Sequence, residues 1–361
     1  MLTENLQFFG LGQCGTRIGL EFSRLGYQVA FFNSDAVDFR GTGIEEKDML
    51  LISTTGSGGS TAKGLEILEE HKQDFKNFLL TKMDNAKIQI FVVGLGGGTG
   101  GSSILSAIDI AKEAGHKVGL IATLPLKLKG MVEMDNAMRI LKQLKEKDLN
   151  MFVLIDNEFL KNKVGWGDDW WKKINEYIVV RFISVLTLTR EEKTSQTGLG
   201  SIDQAEIMRI LQYGKGLTDI RDVYFNIKEV DIITEEELRH RLFEPCLVEG
   251  YNYKDTLAYL VNIDLPPIGI YTNFSSKVFD ITREVCGSSI SRLGMFVDPL
   301  LNNAIRITLV NAGLKLPKKV LRSRINNLKR DSIRHTVKRN KADSLDFSEI
   351  KDINIDEDFN V

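Results

Sequence analysis

The sequence predicts an α/β protein: a parallel sheet flanked by helices, a long central helix, a second and smaller α/β domain, and a C-terminal helix. Three observations predict it. Short apolar runs alternate with stretches of helical spacing through residues 6–158, and such alternation argues for a parallel sheet. The runs end repeatedly in Gly, Ser, Thr, Asp or Asn, so the strand C-termini share one crevice, where open α/β sheets bind ligands. A helical pattern from about 168 to 193 then precedes a region with a different rhythm.

In order, Leu6-Gln7-Phe8-Phe9 reads as a strand, followed by Gly10-Leu11-Gly12-Gln13-Cys14-Gly15 and by Ile18, Leu20, Phe22 and Leu25 at helical spacing. Residues 29–32 form a second strand ending at Asn33-Ser34-Asp35, and 50–52 leads into the small-residue loop 54–60. Leu65, Ile67, Leu68, Phe75 and Phe78 mark the next helix. Strands follow at 88–93, at 117–124 (ending in Thr123-Leu124-Pro125) and at 151–155 (ending at Asp156-Asn157-Glu158), with a helix over 131–147. The pattern from 168 to 193 would span roughly 40 Å as a helix. Its middle is apolar almost all round, through Ile178, Val179, Val180, Phe182, Ile183, Val185 and Leu186, which puts it between two domains. Beyond 222, strands at 223–227, 256–263, 294–297 and 305–310 with helices at 235–243 and 275–287 describe the smaller α/β domain.

The 361 residues, 43% of them hydrophobic, are enough for two cores. A net charge of −2 gives no overall nucleic-acid signal, but its placement is uneven. Residues 315–341 hold eleven Lys and Arg against Asp331 alone, net +10, whereas 342–361 carry net −6 and read as a disordered acidic end. Leu321, Ile325 and Leu328 give the basic segment one narrow apolar stripe, so 317–340 reads as a helix that packs partly on the body. Cys14, Cys246 and Cys286 are too few and too scattered for a disulfide framework or a zinc site, and the four histidines are isolated. No run approaches the length of a membrane span and the N-terminus has no signal-peptide pattern; the expectation is a cytoplasmic protein with no membrane partner. Trp166, Trp170 and Trp171 read as packing anchors, and Cys14 as a small residue facing backbone.

The chemistry concentrates in 92–103. Six glycines, a threonine and two serines lie between the apolar run 88–93 and the helical pattern that begins at Ile104. Strand, glycine-rich loop and helix N-terminus together make an anion site, because amides converge without a Cβ in the way and the helix dipole presents its positive end. This loop is expected to bind phosphate. Gly10–Gly15 is a G-x-G-x-x-G after a strand, with Asp35 some way on, and by itself it equally fits a dinucleotide-binding fingerprint. Several phosphate-suited loops on one edge suit a nucleoside triphosphate better. Asp203 and Glu206 place two carboxylates on one face at a helix start, which on spacing alone is the pattern of an N-cap with a first-turn acid.

Together these segments, in this order, resemble the tubulin/FtsZ superfamily of GTPases over about residues 6–313. Gly94–Gly101 is similar to that family's signature loop around the β- and γ-phosphates. Gly12-Gln13-Cys14-Gly15-Thr16-Arg17-Ile18-Gly19 resembles the first phosphate loop, and Ala62-Lys63-Gly64 after Gly56-Ser57-Gly58-Gly59 the third. Ile155-Asp156-Asn157-Glu158-Phe159-Leu160 resembles the loop whose asparagine reads guanine, and Ile174-Asn175 falls where the central helix supplies a second guanine contact.

The resemblance implies a Rossmann-like GTPase domain at 1–167, a central core helix at 168–196, a second (activation) domain at 197–314 with its catalytic loop at 197–206, a basic helix at 315–341 and an acidic tail at 342–361. It implies GTP/GDP with Mg2+ as ligands. The contacts it implies are Gly12, Gln13, Cys14, Asn33, Asp35, Gly58, Gly59, Gly96, Gly97, Gly98, Thr99, Gly100, Gly101, Asn157 and Asn175, with Glu133 as the candidate for the ribose and Thr99 and Asp35 beside the metal. It implies that Asp203 and Glu206 promote hydrolysis from the next subunit of a head-to-tail filament. A basic C-terminal helix on such a body looks most like the TubZ branch of plasmid and phage segregation proteins. Their filaments move DNA indirectly, through the small DNA-binding adaptor TubR held by the C-terminal tail.

Two other readings stay beside this one. An FtsZ-like cell-division GTPase shares the body but calls for a different tail. A nicotinamide-dependent oxidoreductase would use Gly10–Gly15 and Asp35, and leaves Gly94–Gly101, Asn157 and Asp203 without a role.

Overall fold

Strand and helix alternate from Leu6 to Val164: β1 (Leu6–Leu11), α1 (Gly12–Arg24), β2 (Val29–Asn33), β3 (Met49–Leu51), α2 (Thr61–Glu70), α3 (Lys72–Lys82), β4 (Ile88–Gly94), α4 (Gly98–Glu113), β5 (Val118–Leu124), α5 (Met131–Lys145), β6 (Met151–Asp156) and α6 (Asn157–Val164). There follow α7 (Trp170–Leu186), β7 (Thr194–Ser195), α8 (Gln204–Leu211), β8 (Leu217–Asn226), α9 (Glu235–Phe243), β9 (Ala258–Leu265), α10 (Thr272–Cys286), β10 (Ile290–Val297), β11 (Ala304–Leu314) and α11 (Lys318–Arg339). The computed structural model describes residues 5–53, 55–165, 167–189, 193–195, 202–214, 216–287 and 289–339. Thr54, Trp166, the expected loop 197–201 and the acidic end 342–361 lie outside the described residues.

The first six strands form one parallel sheet in the order β3-β2-β1-β4-β5-β6. Because successive side chains of a strand point to opposite faces, β1 sends Phe9 and Leu11 into one core and Leu6 and Phe8 into the other. The first core is covered by α2, α3, α4, α5 and α11, through Leu68, Phe75, Ile108, Leu141 and Leu321 among others. The second is covered by α1, α6, α7 and α8 and continues into the second sheet through Ile220, Leu260 and Val310. Thus α7 lies between the two sheets, and the second sheet, β7-β10-β9-β11-β8, is mixed, with β9 and β10 parallel and β11 antiparallel to both β8 and β9. Its outer face is covered by α9 and α10 through Leu238, Leu242, Phe274 and Val278.

The helices α7 and α4 depart from expectation. The helix α7 has 17 residues rather than reaching Lys193, and stops at Leu186. There the hydroxyls of Ser184 and Thr187 bond back to the carbonyls of Arg181 and Ile183, and Lys193 lies beyond the helix in an ion pair with Asp264. Val180, counted as part of an all-round apolar surface, is exposed, so α7 keeps a solvent stripe. And α4 begins at Gly98 rather than at Ile104: the glycines are part of its first turn because the helix sits too close to its neighbours for a Cβ. A Cβ on Gly100 would lie 2.8 Å from Val93 Cγ2, and one on Gly101 2.9 Å from the Leu95 carbonyl. The first-turn glycines serve close packing rather than mobility.

Candidate functional site

The sheet order reverses between β1 and β4, and a ligand crevice opens outside the strand C-termini at such a point. Both loops that leave these strands run straight into helices. The N-caps of α1 and α4 are Leu11 and Gly97, and neither end has a side-chain cap. Their first-turn N–H groups, which have no intrahelical acceptors, remain for a ligand, and both dipoles present their positive ends. The two loops touch: Gly12 has φ +68°, and a Cβ there would stand 2.8 Å from the Gly100 nitrogen. Gly97 is exposed at the mouth, while Gly96, Gly98, Gly100 and Gly101 are buried around it. Cys14 faces Thr123 at 3.3 Å and packs against Gly94; burial pushes its thiol pKa up, which suits packing and not nucleophilic chemistry.

A polar cluster closes the crevice on the β2 side. The Thr99 hydroxyl lies 2.6 Å from Ser34 Oγ and 3.4 Å from Ser57 Oγ. Asp35 accepts from the Val37 N–H at 2.9 Å, and a Cβ on Gly56 would meet its Oδ2 at 2.8 Å. Asp38 gathers the neighbouring residues, accepting from Gln13 Nε2 at 2.7 Å and from Asn33 Nδ2 at 2.8 Å. Asn33 in turn accepts from the Ser34 N–H at 2.8 Å. Gly58 and Gly59 are exposed at the rim of the same loop, with φ of +59° and +80°.

Donors of this kind fit a hard cation only in part. Mg2+ takes most of its ligands from phosphate and water and needs one or two protein oxygens, which Thr99 and Asp35 can provide. Among the described residues no group of three or more His, Cys, Asp or Glu side chains is arranged to hold a metal by itself. The residues present thus suit a metal that arrives with a phosphate ligand.

On the β5–β6 side, a Cβ on Gly96 would stand 3.0 Å from both Glu133 Cβ and Pro125 Cβ, which sets the first turn of α5 against the glycine loop. Asn157 opens α6 and Asn175 lies on the packed α7; both are buried. Among the described residues neither side-chain amide has a hydrogen-bond partner, so each retains a donor and an acceptor. Asp156 caps α6 by accepting from the N–H groups of Glu158 and Phe159 at 2.9 and 3.3 Å. Burial would push the Glu158 carboxyl up, yet the Lys161 ammonium, the Lys127 N–H and the charge of Arg324 hold it below its ordinary value. Trp170 is buried and stacks on Trp171, with ring centroids 3.9 Å apart, as packing anchors should.

Asp203 and Glu206 are elsewhere. They form a capping box at the start of α8: Asp203 Oδ1 accepts from the Glu206 N–H at 2.7 Å, and Glu206 Oε2 from the Asp203 N–H at 3.3 Å. Glu206 also pairs with Arg292 at 2.8 Å. The next residues, Gln204, Ala205 and Met208, line a cavity of about 580 Å³ with Asn5, Lys87 and Lys117. Asn5, Lys87 and Lys117 immediately precede β1, β4 and β5, so α8 starts at the edge of the sheet opposite the phosphate loops. A seven-residue strand such as β4 separates these edges by roughly 20 Å. One chain does not bring Asp203 and Glu206 to the glycine loops.

Some residues of this site carry no signal of their own in the sequence. Ser34 and Ser57 reach Thr99 from two loops that the sequence marks only as small and polar, and Asp38, five positions past the end of β2, has no local cue. Arg324, which bonds Asp156 and the Pro125 carbonyl, stands in the basic C-terminal segment and has none.

With the geometry in place, the comparisons with known proteins agree on the body. Residues 5–165 match the model of the Tubulin/FtsZ family, GTPase domain. The cell division protein FtsZ of Methanothermobacter thermautotrophicus is 25% identical over 313 residues, covering 85% of this chain and 79% of that protein. The tubulin-like protein CetZ of Pyrococcus furiosus is 26% identical over 314 residues, covering 84% and 83%. Among solved structures, a GTPγS-form protofilament of Bacillus thuringiensis serovar israelensis TubZ superposes with a TM-score of 0.79 at 16% identity, over 94% of this chain and 95% of that one. That last likeness is one of fold, and the two sequence relatives are an FtsZ and a CetZ protein. Residues 5–165, which hold the switch-point loops, thus match the GTPase domain of the Tubulin/FtsZ family.

Proposed function

We propose that this protein binds GTP and GDP across the β1–β4 switch point, hydrolyses GTP, and polymerises head to tail, with Asp203 and Glu206 of one subunit completing the site of the next. One observation carries it: the phosphate-suited loops and the Asp203/Glu206 pair stand at opposite edges of the same sheet. The triphosphate lies along the first turns of α1 and α4, held by backbone amides. Thr99 and Asp35 would hold the metal, which would supply charge neutralisation for the phosphates. Asn157 and Asn175 each offer one donor and one acceptor, the pair needed to tell guanine from adenine. Phosphoryl transfer asks mainly for positioning and charge neutralisation, and the group still needed is one that orients the attacking water. Two carboxylates on the far edge supply it only when a second copy stacks on top. Such a head-to-tail contact gives open filaments whenever its rotation does not close.

The test is GTP turnover per subunit from nanomolar to micromolar protein, alongside light scattering. Turnover should rise with the polymer signal; turnover per subunit independent of concentration overturns the shared site. NAD in place of GTP should give neither signal.

For the tail, the proposed partner is a DNA-binding adaptor of TubR type, with plasmid or phage DNA as the indirect cargo. The support is the net charge of +10 over 315–341, with Lys315, Lys319 and Arg330 exposed, and a fold like that of TubZ. Binding of that kind weakens steeply with salt. Charge reversal at Lys315, Lys319 and Arg330 should abolish co-sedimentation of an adaptor–DNA complex encoded beside this gene; undiminished co-sedimentation removes the adaptor from the reading and leaves a division or cell-shape role for the same GTPase body.

A further inference from the structure

Arg324 is the exception among the basic residues of α11 whose side chains are described, 318–330. It is 4% exposed, held inward by Leu321, Ile325 and Leu328, which pack into the first core. Its Nη1 donates to Asp156 Oδ1 and its Nη2 to the Pro125 carbonyl. Asp156 is the last residue of β6, and Pro125 follows the last residue of β5. One guanidinium therefore ties together the ends of two adjacent strands, and the segments that follow them carry Asn157 and Glu133.

The tie continues on both sides. The Asp156 oxygen that accepts from Arg324 also accepts from the Glu158 and Phe159 N–H groups, fixing the first turn of α6 where Asn157 stands. Glu158 Oε2 accepts from the Lys127 N–H at 3.0 Å, which joins that turn back to the segment after Pro125. Pro125 in turn packs against Gly96 of the glycine loop. A helix outside the family match of residues 5–165 thus holds the geometry of the base side of the site.

We propose that Arg324 is a positioning residue for nucleotide recognition, so that docking of α11 and occupancy of the nucleotide site are coupled. The proposal rests on the reading of this crevice as a guanine-nucleotide site. The physical reason is asymmetric burial: if α11 leaves, Asp156 loses its cation while only two backbone N–H groups remain on it, and a carboxylate left buried without a countercharge does not persist in one geometry. Asp156 must then turn to solvent, and the cap that aims Asn157 goes with it. Linkage makes the effect reciprocal, so bound nucleotide must also hold α11 down. Any partner that grips the chain beyond α11 acquires a handle on nucleotide affinity.

The experiment measures binding of a fluorescent GDP analogue to full-length protein, diluted below assembly, with GDP, IDP and ADP as competitors. Arg324→Gln should weaken GDP about tenfold, within the usual range of coupling between sites, and narrow its preference over IDP and ADP. Arg324→Lys keeps the charge but lacks the planar fork whose two nitrogens reach the two acceptors, and should recover thermal stability without recovering base preference. Asp156→Asn loses the charge that holds Arg324 and so breaks the same tie between α11 and the ends of β5 and β6; it should resemble Arg324→Gln and serves if that variant does not fold. Leu309→Ala, in the core of the second domain, controls for loss of stability alone and should leave base preference unchanged. Hydrogen exchange across 318–330 should slow when GDP binds. Unchanged base preference in Arg324→Gln and Asp156→Asn, or a shift matched by Leu309→Ala, overturns the coupling. Failure of the wild type to bind the GDP analogue overturns the site reading itself and is seen before any variant is made.

Discussion

Gly12 and Gly100 meet across the switch point so closely that a methyl group on the first would lie 2.8 Å from the backbone nitrogen of the second. The contact aligns the N-termini of α1 and α4 on one point, which neither loop achieves alone. Gly12→Ala therefore has two costs, the positive φ and the collision, of about 1–2 and 1–3 kcal/mol. Gly58→Ala has only the first, since nothing lies within 4 Å of a Cβ there. The expected outcome is loss of GDP binding by more than about tenfold in Gly12→Ala, with a smaller change in Gly58→Ala, read by titration of a fluorescent nucleotide.

Asp203 has a structural duty as the cap of α8 as well as its proposed chemical one, and the two separate cleanly. Asparagine caps a helix as well as aspartate does, whereas alanine costs about 1 kcal/mol at that position. Asp203→Asn should keep the melting temperature and the filaments while GTP turnover drops about a hundredfold, the scale of a lost proton-handling or water-orienting group. If turnover in Asp203→Asn matches the wild type, the carboxylate has no part in hydrolysis.

Glu158 gives the pH dependence. Its carboxyl is held below the ordinary glutamate value of 4.5, so its contribution to stability is complete above that value and is lost as pH falls through the lower folded value. Glu158→Gln removes the charge and retains an acceptor for the Lys127 N–H. The gap in melting temperature between wild type and Glu158→Gln should be widest at neutral pH and close as pH drops from 4.5 downward. A gap that is constant over this range assigns the effect to packing instead.

Leu321 is 1% exposed in the first core, although it lies in the most basic stretch of the chain. Leu321→Ala should destabilise the whole protein by about 2–5 kcal/mol, as deletion of a buried leucine does, measured by denaturant unfolding. Removal of 315–361 would open that core, so the acidic end is better tested by truncation after 339, which should leave stability near that of the wild type.

Much of this was legible from local pattern. Apolar runs of strand length with small polar residues after them announced the parallel sheet and its ligand edge, because strand periodicity and turn chemistry are properties of neighbouring residues. Leu321, Ile325 and Leu328 announced a packed helix for the same reason. The end of α7 was misjudged, since apolar spacing continues past Leu186 while the hydroxyls of Ser184 and Thr187 close the helix there. The start of α4 was misjudged because glycine was read as loop-forming, when at Gly100 and Gly101 it answers to a neighbouring strand and helix.

The sequence alone determined the fold class, the glycine loops that suit phosphate, and the charge separation of the tail, all of which are written in residues a few positions apart. Only the tertiary structure decided that Thr99 meets Ser34 and Ser57, that Asp203 and Glu206 stand at the far edge of the sheet, and that Arg324 reaches Asp156 across 168 residues of chain. The reason is that hydrophobic periodicity is repeated and local, whereas a single buried ion pair is placed by the packing of every element between its partners.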